Sequence, residues 1–271
     1  MLRQWCGFSL LGSPMMTHTL GPVIRLPEGK AVSQASQRRK LIETGLAQMP
    51  RASGFLQALE PGKPHAMDYN LAGFEIGVRY TYRLDARTSI DNLWSGLKDK
   101  ARNSVRRAKL NLTISGGMPL MEFYALYERN LGRAGRFNHH DGAVYHRLNE
   151  ALSKRTRHHI IAATNKATGK TVAATIVVWD AYTLYYLRAT QDGTPEARGA
   201  ASLLLWEAIL LAHRLGLMFD SDSYFRPSGA KFIEAFGCIP VERLTIRRRS
   251  SALKAAMALR NRMPLPGGPV A

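Results

Sequence analysis

The sequence predicts an α+β fold, with a mostly antiparallel central sheet and helices on both of its faces. Two observations support this prediction. Three strand-like segments, at 158–164, 171–179 and 182–191, follow one another with connections as short as those of antiparallel hairpins. The segment that comes next, 202–215, is apolar nearly all the way round a helix, so we expect it to be buried against a sheet.

Fewer elements are indicated in the first part of the chain. Apolar residues at helical spacing predict a helix at 30–48, and a segment rich in proline and glycine follows it. β-Branched and aromatic residues then indicate a strand at 74–84. These elements are too few to close a sheet, so we interpret residues 1–84 as a partial N-terminal half.

A basic helix is predicted from 92 to 112, where apolar residues recur with a period of about 3.6. Basic residues spaced four, four and three apart lie on one face beside the apolar stripe: Lys98, Arg102, Arg106 and Lys109. Charge of nearly one sign favours contact with phosphates, and an ordinary solvated face is the alternative.

The rest of the chain is predicted to alternate short strands and helices. These elements are a strand at 110–115, helices at 119–132 and 142–155, a strand at 217–220, a helix at 229–236 and a strand at 239–248. A basic helix and a loose tail follow from residue 251. The predicted domains are therefore 1–84, 85–250 and 251–271.

Composition limits the classes of partner and compartment. Among 271 residues, 38 Lys and Arg stand against 20 Asp and Glu, which gives a net charge of +18. This excess favours RNA, DNA, a phosphorylated cofactor or an anionic membrane as partner, unless it only reflects an arginine-rich genome. No segment approaches the roughly 20 apolar residues of a membrane helix. Because Cys6 and Cys238 are widely separated, we expect neither disulfide nor zinc site and a cytoplasmic location.

The order of elements from residue 85 resembles the GNAT acyltransferase fold, and several stretches are similar to its FemAB-like branch. The stretches are YTYRLD (80–85), LKDKARNSVRRAKL (97–110), LYYLRATQDG (184–193), AASLLLWEAILLAHRLGL (200–217) and FDSDSYFRPSGAKFIEAFG (219–237), with PMMTHTLGPVI (14–24) in the first half. The resemblance covers most of 14–248, with a first half shorter than the family's. It implies a mostly antiparallel GNAT sheet and transfer of an acyl group.

The resemblance also implies a donor site. In the GNAT fold, a splay between two strands, here 182–191 and 217–220, accepts the donor's pantetheine, and amides at the next helix N-terminus hold its pyrophosphate. The candidate cofactor-binding residues are Arg198, Gly199, Ala200, Ala201 and Ser202. Glu196 departs from the family's Q/R-x-x-G-x-G/A loop and would repel phosphate. Because FemAB relatives often use aminoacyl-tRNA, acyl-CoA and aminoacyl-tRNA both remain candidate donors, and a glycine that serves only packing is the structural alternative.

The candidate catalytic residues are Asp222, Asp220 and Tyr186. Strand alternation places both aspartates on one face, and the segment resembles a family F-D-F-E-G-S pattern with Asp222 at the glutamate. A loop-bracing role is the alternative. Ile233 stands where some relatives carry a lysine that assists transfer, so that role is not assigned to Lys231.

We therefore expect an N-acyltransferase that acts from acyl-CoA on an amine. The alternatives are aminoacyl transfer from aminoacyl-tRNA to a peptidoglycan precursor, and a non-catalytic module that binds RNA or a membrane surface. The phosphates of the donor, or of a nucleotide-linked cell-envelope acceptor, would be held by Lys98, Arg102, Arg106 and Arg188. Peripheral membrane contact is compatible with the charge, and no histidine or cysteine spacing predicts a metal site.

Overall fold

The computed structural model describes residues 1–62, 65–138, 142–221 and 227–262. The chain forms two compact units, one made of residues 1–80 with the chain from 242 onward, and the other of residues 81–241. The boundaries predicted at 84/85 and 250/251 stay predictions. In the structure, the chain passes between the units inside two strands, at Glu75–Asp85 and Ile239–Arg249.

The first unit is a small mixed sheet with three helices. Its elements are β1 (Leu2–Trp5), β2 (Phe8–Gly12), α1 (Ala31–Ala47), β3 (Gly54–Ala58), α2 (Ala66–Leu71), the start of β4 (Glu75–Asp85), most of β10 (Ile239–Arg249) and α9 (Ser251–Arg262). The strand order is β1-β2-β3-β10-β4. Strand β2 runs parallel to β3, and β10 runs antiparallel to β3.

The returning strand β10 completes this sheet. Thr245–Arg249 pair with Gly54–Ala58, so a segment nearly 190 residues downstream supplies the strand that the local pattern of residues 1–84 lacks. The core beneath it is aromatic: Phe55 and Phe74 meet edge to face with ring centroids 5.2 Å apart, and Ile246 of β10 is fully buried beside them.

The second unit contains a longer, mostly antiparallel sheet. Its further elements are α3 (Ile90–Ser95), α4 (Asp99–Asn111), β5 (Leu112–Gly116), α5 (Leu120–Arg133), α6 (Gly142–Ser153), β6 (His158–Asn165), β7 (Thr171–Trp179), β8 (Thr183–Gln191), α7 (Ala200–Arg214), β9 (Met218–Asp220) and α8 (Pro227–Glu234). The strand order is β4-β9-β8-β7-β6-β5; β8 and β9 run parallel, and the other neighbouring pairs in this order run antiparallel. The predicted α+β class is confirmed.

Helices cover both faces of this sheet. The apolar sides of α4 and α7 share one core with β6, β7 and β8, in which Val105, Leu204 and Ile209 have no or almost no exposed surface. Helix α5 lies on the opposite face, where Asn130 Nδ2 donates to Thr190 Oγ1 of β8. None of the helices in the described ranges is long and apolar enough to cross a bilayer.

The single helix predicted at 92–112 is wrong, because the structure has two helices there. Ser89 Oγ caps α3 by accepting from the amide of Asn92, as expected for a capping serine. Helix α3 ends at Gly96, and α4 begins after Lys98, whose amide donates to the carbonyl of Ala235. The apolar period runs through both helices because both bury the same side, so periodicity could not reveal the break.

Candidate functional site

Strands β8 and β9 diverge after three residues. Thr183–Tyr185 pair with Met218–Asp220, where β9 ends. Strand β8 continues to Gln191 and stays paired with β7 over that length. The edge of β8 from Tyr186 to Gln191 therefore has no β9 residue opposite it, which is the splay that the resemblance implies.

Gly199 precedes helix α7, whose first turn contacts Gln191 at the end of the β8 edge that β9 leaves. Its φ is +80°, in the left-handed region that favours glycine. A Cβ there would lie 3.1 Å from Ala108 Cβ and 3.2 Å from the carbonyl oxygen of Ser104. Ser104 also donates its hydroxyl to Ser202 at 2.9 Å. Close packing of α4 on α7 is thus sufficient to explain the glycine, whether or not a phosphate binds beside it.

One backbone amide in the first turn of α7 is already hydrogen-bonded to a side chain of the protein. The amide of Ala201 donates to Gln191 Oε1 at 2.9 Å, so the last side chain of β8 satisfies a helix-terminal donor. Arg198 is exposed, whereas Ala200 and Ser202 are buried. A phosphate bound at this helix start would compete with a neutral amide oxygen, and the helix dipole favours the phosphate.

Glu196 keeps its negative charge on this loop. A hydrogen bond with its own backbone is the main cause that lowers the pKa of its carboxyl. The side chain is exposed, so the charge faces solvent. Glu196, which departs from the family loop, is therefore ionised. Its negative charge disfavours the binding of a phosphate near Arg198.

A buried carboxylate anchors the start of the same loop. Asp192 is 1% exposed and accepts from Arg133 Nη1 at 2.5 Å and from Lys170 Nζ at 3.3 Å. Its second oxygen accepts from the amide of Thr194. Burial raises the pKa of Asp192, but Lys170 and Arg133 outweigh it and leave that pKa below its usual value. Sequence reasoning missed this anchor, because an Asp-Gly pair signals only a turn and its partners lie far along the chain.

Asp220 is a buried partner of β4. Its side chain has no exposed surface, accepts from Thr81 Oγ1 at 2.5 Å and forms an ion pair with Arg83 Nε at 2.7 Å. Both partners are on β4, and Arg83 is opposite Asp220 in the register. This geometry is that of the bracing alternative, and a catalytic role for Asp220 stays a prediction. Asp222, the other candidate, lies outside the described residues.

Tyr186 lies where β8 leaves β9. Its ring is half-buried, with its centroid 6.2 Å from that of Phe219. Burial raises the pKa of Tyr186 to about 12, although a hydrogen bond with Thr175 opposes the rise. The phenol is therefore protonated at neutral pH, and it can donate a hydrogen bond or a proton but is a poor general base.

The predicted phosphate ligands of α3 and α4 differ in what they contact. Arg102 donates from Nη1 to the carbonyls of Ser95 and Leu97, at 2.9 and 2.6 Å, and from Nη2 to Asp99. Its guanidinium thus closes the C-terminal end of α3. Arg106 is exposed and lies over the ring of Trp94, 5.5 Å from its centroid, and Lys98 is exposed. Lys98 and Arg106 keep their cations accessible, and phosphate binding stays a prediction for all three.

Arg188 belongs to a polar cluster on the α5 face of the sheet. Its guanidinium lies 5.7 Å from the ring centroid of Tyr127. Arg188 Nε, the hydroxyl of Tyr145 and Asn130 Oδ1 are buried without a hydrogen-bond partner among the described residues. Burial strongly raises the pKa of Tyr145, so its hydroxyl stays a donor. The sequence pointed to Arg188 but missed Tyr145, whose helix pattern reads only as core.

The other titratable groups do not form a metal site within the described ranges, where no three His, Cys, Asp or Glu side chains come close enough to share an ion. The expected absence of a metal stays a prediction, since His139 and His140 lie outside those ranges. Lys231 is on α8 with no described carboxylate partner. Lys231 therefore remains outside the group of candidate catalytic residues.

Solved structures of low sequence identity share this fold. The match to the crystal structure of FemX is 11% identical, covers 90% of this chain and 82% of that one, and has a TM-score of 0.70. The match to the structure of L-PGS from Bacillus licheniformis is 14% identical, covers 96% and 84%, and has a TM-score of 0.57. That to the C-terminal domain of a putative lysylphosphatidylglycerol synthetase from Agrobacterium fabrum is 13% identical, covers 86% and 79%, and has a TM-score of 0.56.

The comparisons of sequence are negative: no protein-family model matches the chain, and no curated protein sequence matches it. The structural likenesses therefore concern the fold. They show that the chain has the fold of FemX, as the resemblance to the FemAB-like branch predicts.

Proposed function

We propose that this chain is an acyltransferase that moves an acyl group from an acyl-CoA to an amine. The observation that carries the proposal is the divergence of β8 from β9, which leaves an edge of β8 whose last residue, Gln191, contacts the first turn of α7. An exposed strand edge can pair with the amides of a pantetheine arm, and a helix start attracts its phosphates. The strand edge would bind the pantetheine arm and the helix start would bind the phosphates, so the two features together fit a CoA thioester.

The residues around the divergence suit the chemistry of acyl transfer. The amine nitrogen attacks the thioester carbonyl, the C–S bond breaks, the amine loses a proton and the thiolate gains one. Tyr186, protonated because burial raises its pKa to about 12, can donate to the developing oxyanion or to the leaving sulfur. Asp220 is held by Arg83 and Thr81, so we assign the proton-accepting role to Asp222 in this proposal and a positioning role to Asp220.

We place the acceptor's anionic group at the cluster around Arg188. A buried Nε without a partner, beside the hydroxyl of Tyr145, offers two donors to a carboxylate or phosphate. An amine acceptor linked to a nucleotide or to a cell-envelope peptide carries such a group. A cytoplasmic location and a peptidoglycan precursor as acceptor belong to the same proposal.

Aminoacyl-tRNA is the second candidate donor, and one observation favours it. The carboxylate of Glu196 faces solvent on the loop where a CoA pyrophosphate would bind, while Lys98 and Arg106 keep exposed cations on α4. An RNA backbone held by such cations would bind in a salt-dependent manner. The fold that the chain shares with FemX is compatible with either donor.

Binding and turnover measurements separate the candidates. Calorimetric titration with CoA, palmitoyl-CoA, uncharged tRNA and aminoacyl-tRNA, at two salt concentrations, identifies the donor. We expect CoA to bind and its affinity to increase in Gln191→Ala, since the variant frees the Ala201 amide. Transfer from the bound donor to an amine should fall at least tenfold in Tyr186→Phe. Tyr185→Phe is the matched control, because that hydroxyl bonds to Asp180 at the far end of β8.

Each alternative has its own result. If aminoacyl-tRNA binds in a strongly salt-sensitive manner and CoA does not bind, the donor is aminoacyl-tRNA and not acyl-CoA. Binding of RNA or of anionic vesicles with no transfer from any donor would contradict an enzymatic function and support a non-catalytic binding module.

A further inference from the structure

The first unit contains a cavity that no step of the proposed acyl transfer uses. Its volume is about 380 Å³, within the range of small-molecule sites, which is about 300–1,000 Å³. It is open to solvent on one side and is bounded mainly by α1, β2, β3 and the segment that follows β2. The wall is apolar, and its members include Leu11, Ile42, Leu46, Phe55 and Tyr69.

The wall of the cavity has few polar groups, and the side chain of Gln57 is already hydrogen-bonded within the protein. The side-chain amide of Gln57 donates to the carbonyl of Leu20 and so presents little polarity to the interior. Tyr69 is 3% exposed, and its ring packs edge to face on Phe74. A ligand inside this cavity would find hydrocarbon contacts and almost no hydrogen-bond partners, which suits an alkyl chain.

The opening of the cavity is unusually apolar for a protein surface. Five of its lining residues are large hydrophobic side chains with between 37% and 53% of their surface exposed: Met1, Leu20, Leu41, Met49 and Leu56. Clustered exposure of this kind marks a binding surface rather than scattered surface residues. The cavity is thus accessible to an apolar group that enters from solvent.

A second, polar cavity of about 150 Å³ adjoins the first and shares Leu11, Met49 and Phe55 with it. Arg51 and Arg248 line this smaller cavity, and both are exposed. Neither forms an ion pair with any carboxylate of the described residues, and the guanidinium of Arg248 lies over the ring of Phe74 at 4.4 Å. Two cations without acidic partners stand next to an apolar chamber.

We propose that the first unit binds a single-chain lipid with an anionic head group, its hydrocarbon chain in the apolar cavity and its head group at Arg51 and Arg248. The charge of the smaller cavity is complementary to a carboxylate or phosphate head, and the wall residues that the two cavities share place this charge beside the chain-binding space. This inference does not depend on the proposed acyl transfer, because every residue that carries it belongs to the first unit.

A glycine in α1 allows a direct test. Gly45 lines the cavity, and a Cβ built on it would meet no atom within 4 Å. Gly45→Leu should therefore place a side chain in the open space while improving helix propensity, so the variant should fold. Gly132→Leu is the matched control, since that residue is also a helical glycine with nothing near its Cβ, but it lies in α5 of the second unit.

Binding is measured by calorimetry with palmitate and with the uncharged monopalmitoylglycerol, both below their aggregation concentrations. We expect palmitate to bind the full chain, to bind at least tenfold more weakly to Gly45→Leu, and to bind Gly132→Leu as it binds the unmodified protein. Arg51→Gln should weaken palmitate at least threefold and leave monopalmitoylglycerol unchanged, whereas Arg3→Gln, an exposed cation outside both cavities, should change neither.

Three results would overturn the inference. They are the absence of palmitate binding, equal palmitate affinity in Gly45→Leu and Gly132→Leu, and binding of phosphatidylglycerol vesicles without binding of monomeric palmitate. The last result would indicate a charged surface and not a chain-binding cavity. Because no acyl transfer is measured, none of these results bears on the proposed enzymatic function.

Discussion

Arg83 and Asp220 form a cross-strand ion pair between β4 and β9, with Nε and Oδ2 2.7 Å apart and the carboxylate fully buried. Strand β9 has only three residues, so this pair and the bond from Thr81 add side-chain contacts to a short backbone pairing with β4. The carboxylate that resembles a catalytic residue in the sequence is thus also the brace of the strand from which β8 diverges.

Asp220→Asn should destabilise the fold strongly. The substitution keeps the shape of the side chain but removes the negative charge that Asp220 presents to the mostly buried guanidinium of Arg83, and breaking a buried ion pair costs about 3 kcal/mol or more. Urea unfolding followed by circular dichroism measures the loss. Asp85→Asn is the control on the same strand, since its pair with Arg87 is exposed and should matter little. Equal stability of Asp220→Asn and the unmodified chain would remove the bracing role.

Gly199→Ala should lower the free energy of unfolding by more than about 1 kcal/mol, because the new Cβ meets α4 and the backbone has a positive φ. Gly193→Ala, in the same loop, has open space around its Cβ and should be nearly neutral. Thermal melts of both variants give the comparison. If Gly199→Ala were as stable as Gly193→Ala, while donor binding was lost, the glycine would serve the ligand and not the packing of α7.

Substitution of Arg102 should affect stability, whereas substitution of Lys98 should affect only donor binding. Arg102→Gln removes hydrogen bonds from a charged group to the carbonyl of Ser95, which ends α3, and to that of Leu97 in the turn after it, and we expect a loss of about 1–3 kcal/mol in unfolding free energy. Lys98→Gln should leave stability unchanged and weaken only the binding of a phosphate-bearing donor, with a shallower salt dependence. Chemical denaturation and salt-dependent titration test the two separately. A stable Arg102→Gln with weakened donor binding would contradict the capping role.

The two cysteines should react very differently with iodoacetamide. Cys6 is exposed, whereas Cys238 is buried, and burial followed by the charge of Asp220 raises the pKa of its thiol to about 12. Peptide mass mapping after labelling at pH 8 should find Cys6 modified and Cys238 intact. The folded thiol stays protonated above its ordinary pKa of 9.0, so its contribution to stability is complete below pH 9 and is lost as pH rises towards 12.

The comparison with Cys238→Ala isolates that pH dependence. The difference in unfolding free energy between the two proteins should be constant below pH 9 and should shrink above it. Rapid labelling of Cys238 in the folded protein at pH 8 would show that the segment around it opens readily, and would contradict the burial that raises its pKa.

Local patterns in the sequence predicted much of the second unit. The hairpins of β6, β7 and β8 and the buried helix α7 follow from alternation, short connections and an apolar run, which depend on neighbours along the chain. The same local reasoning missed the break at Gly96, because α3 and α4 bury the same side. It also left the first unit incomplete, because β10 joins β3 from the other end of the chain.

The candidate site also has features that the sequence predicted and features that only the tertiary structure shows. The sequence by itself determined the α+β class, the position of the loop before α7 and the excess of basic residues. Only the tertiary structure decided that Arg102 closes α3, that Gln191 caps Ala201 and that Asp220 pairs with Arg83. The physical reason is that a charge or a hydrogen-bonding group acts on whatever lies within a few ångströms, and folding brings those partners together from distant positions in the chain.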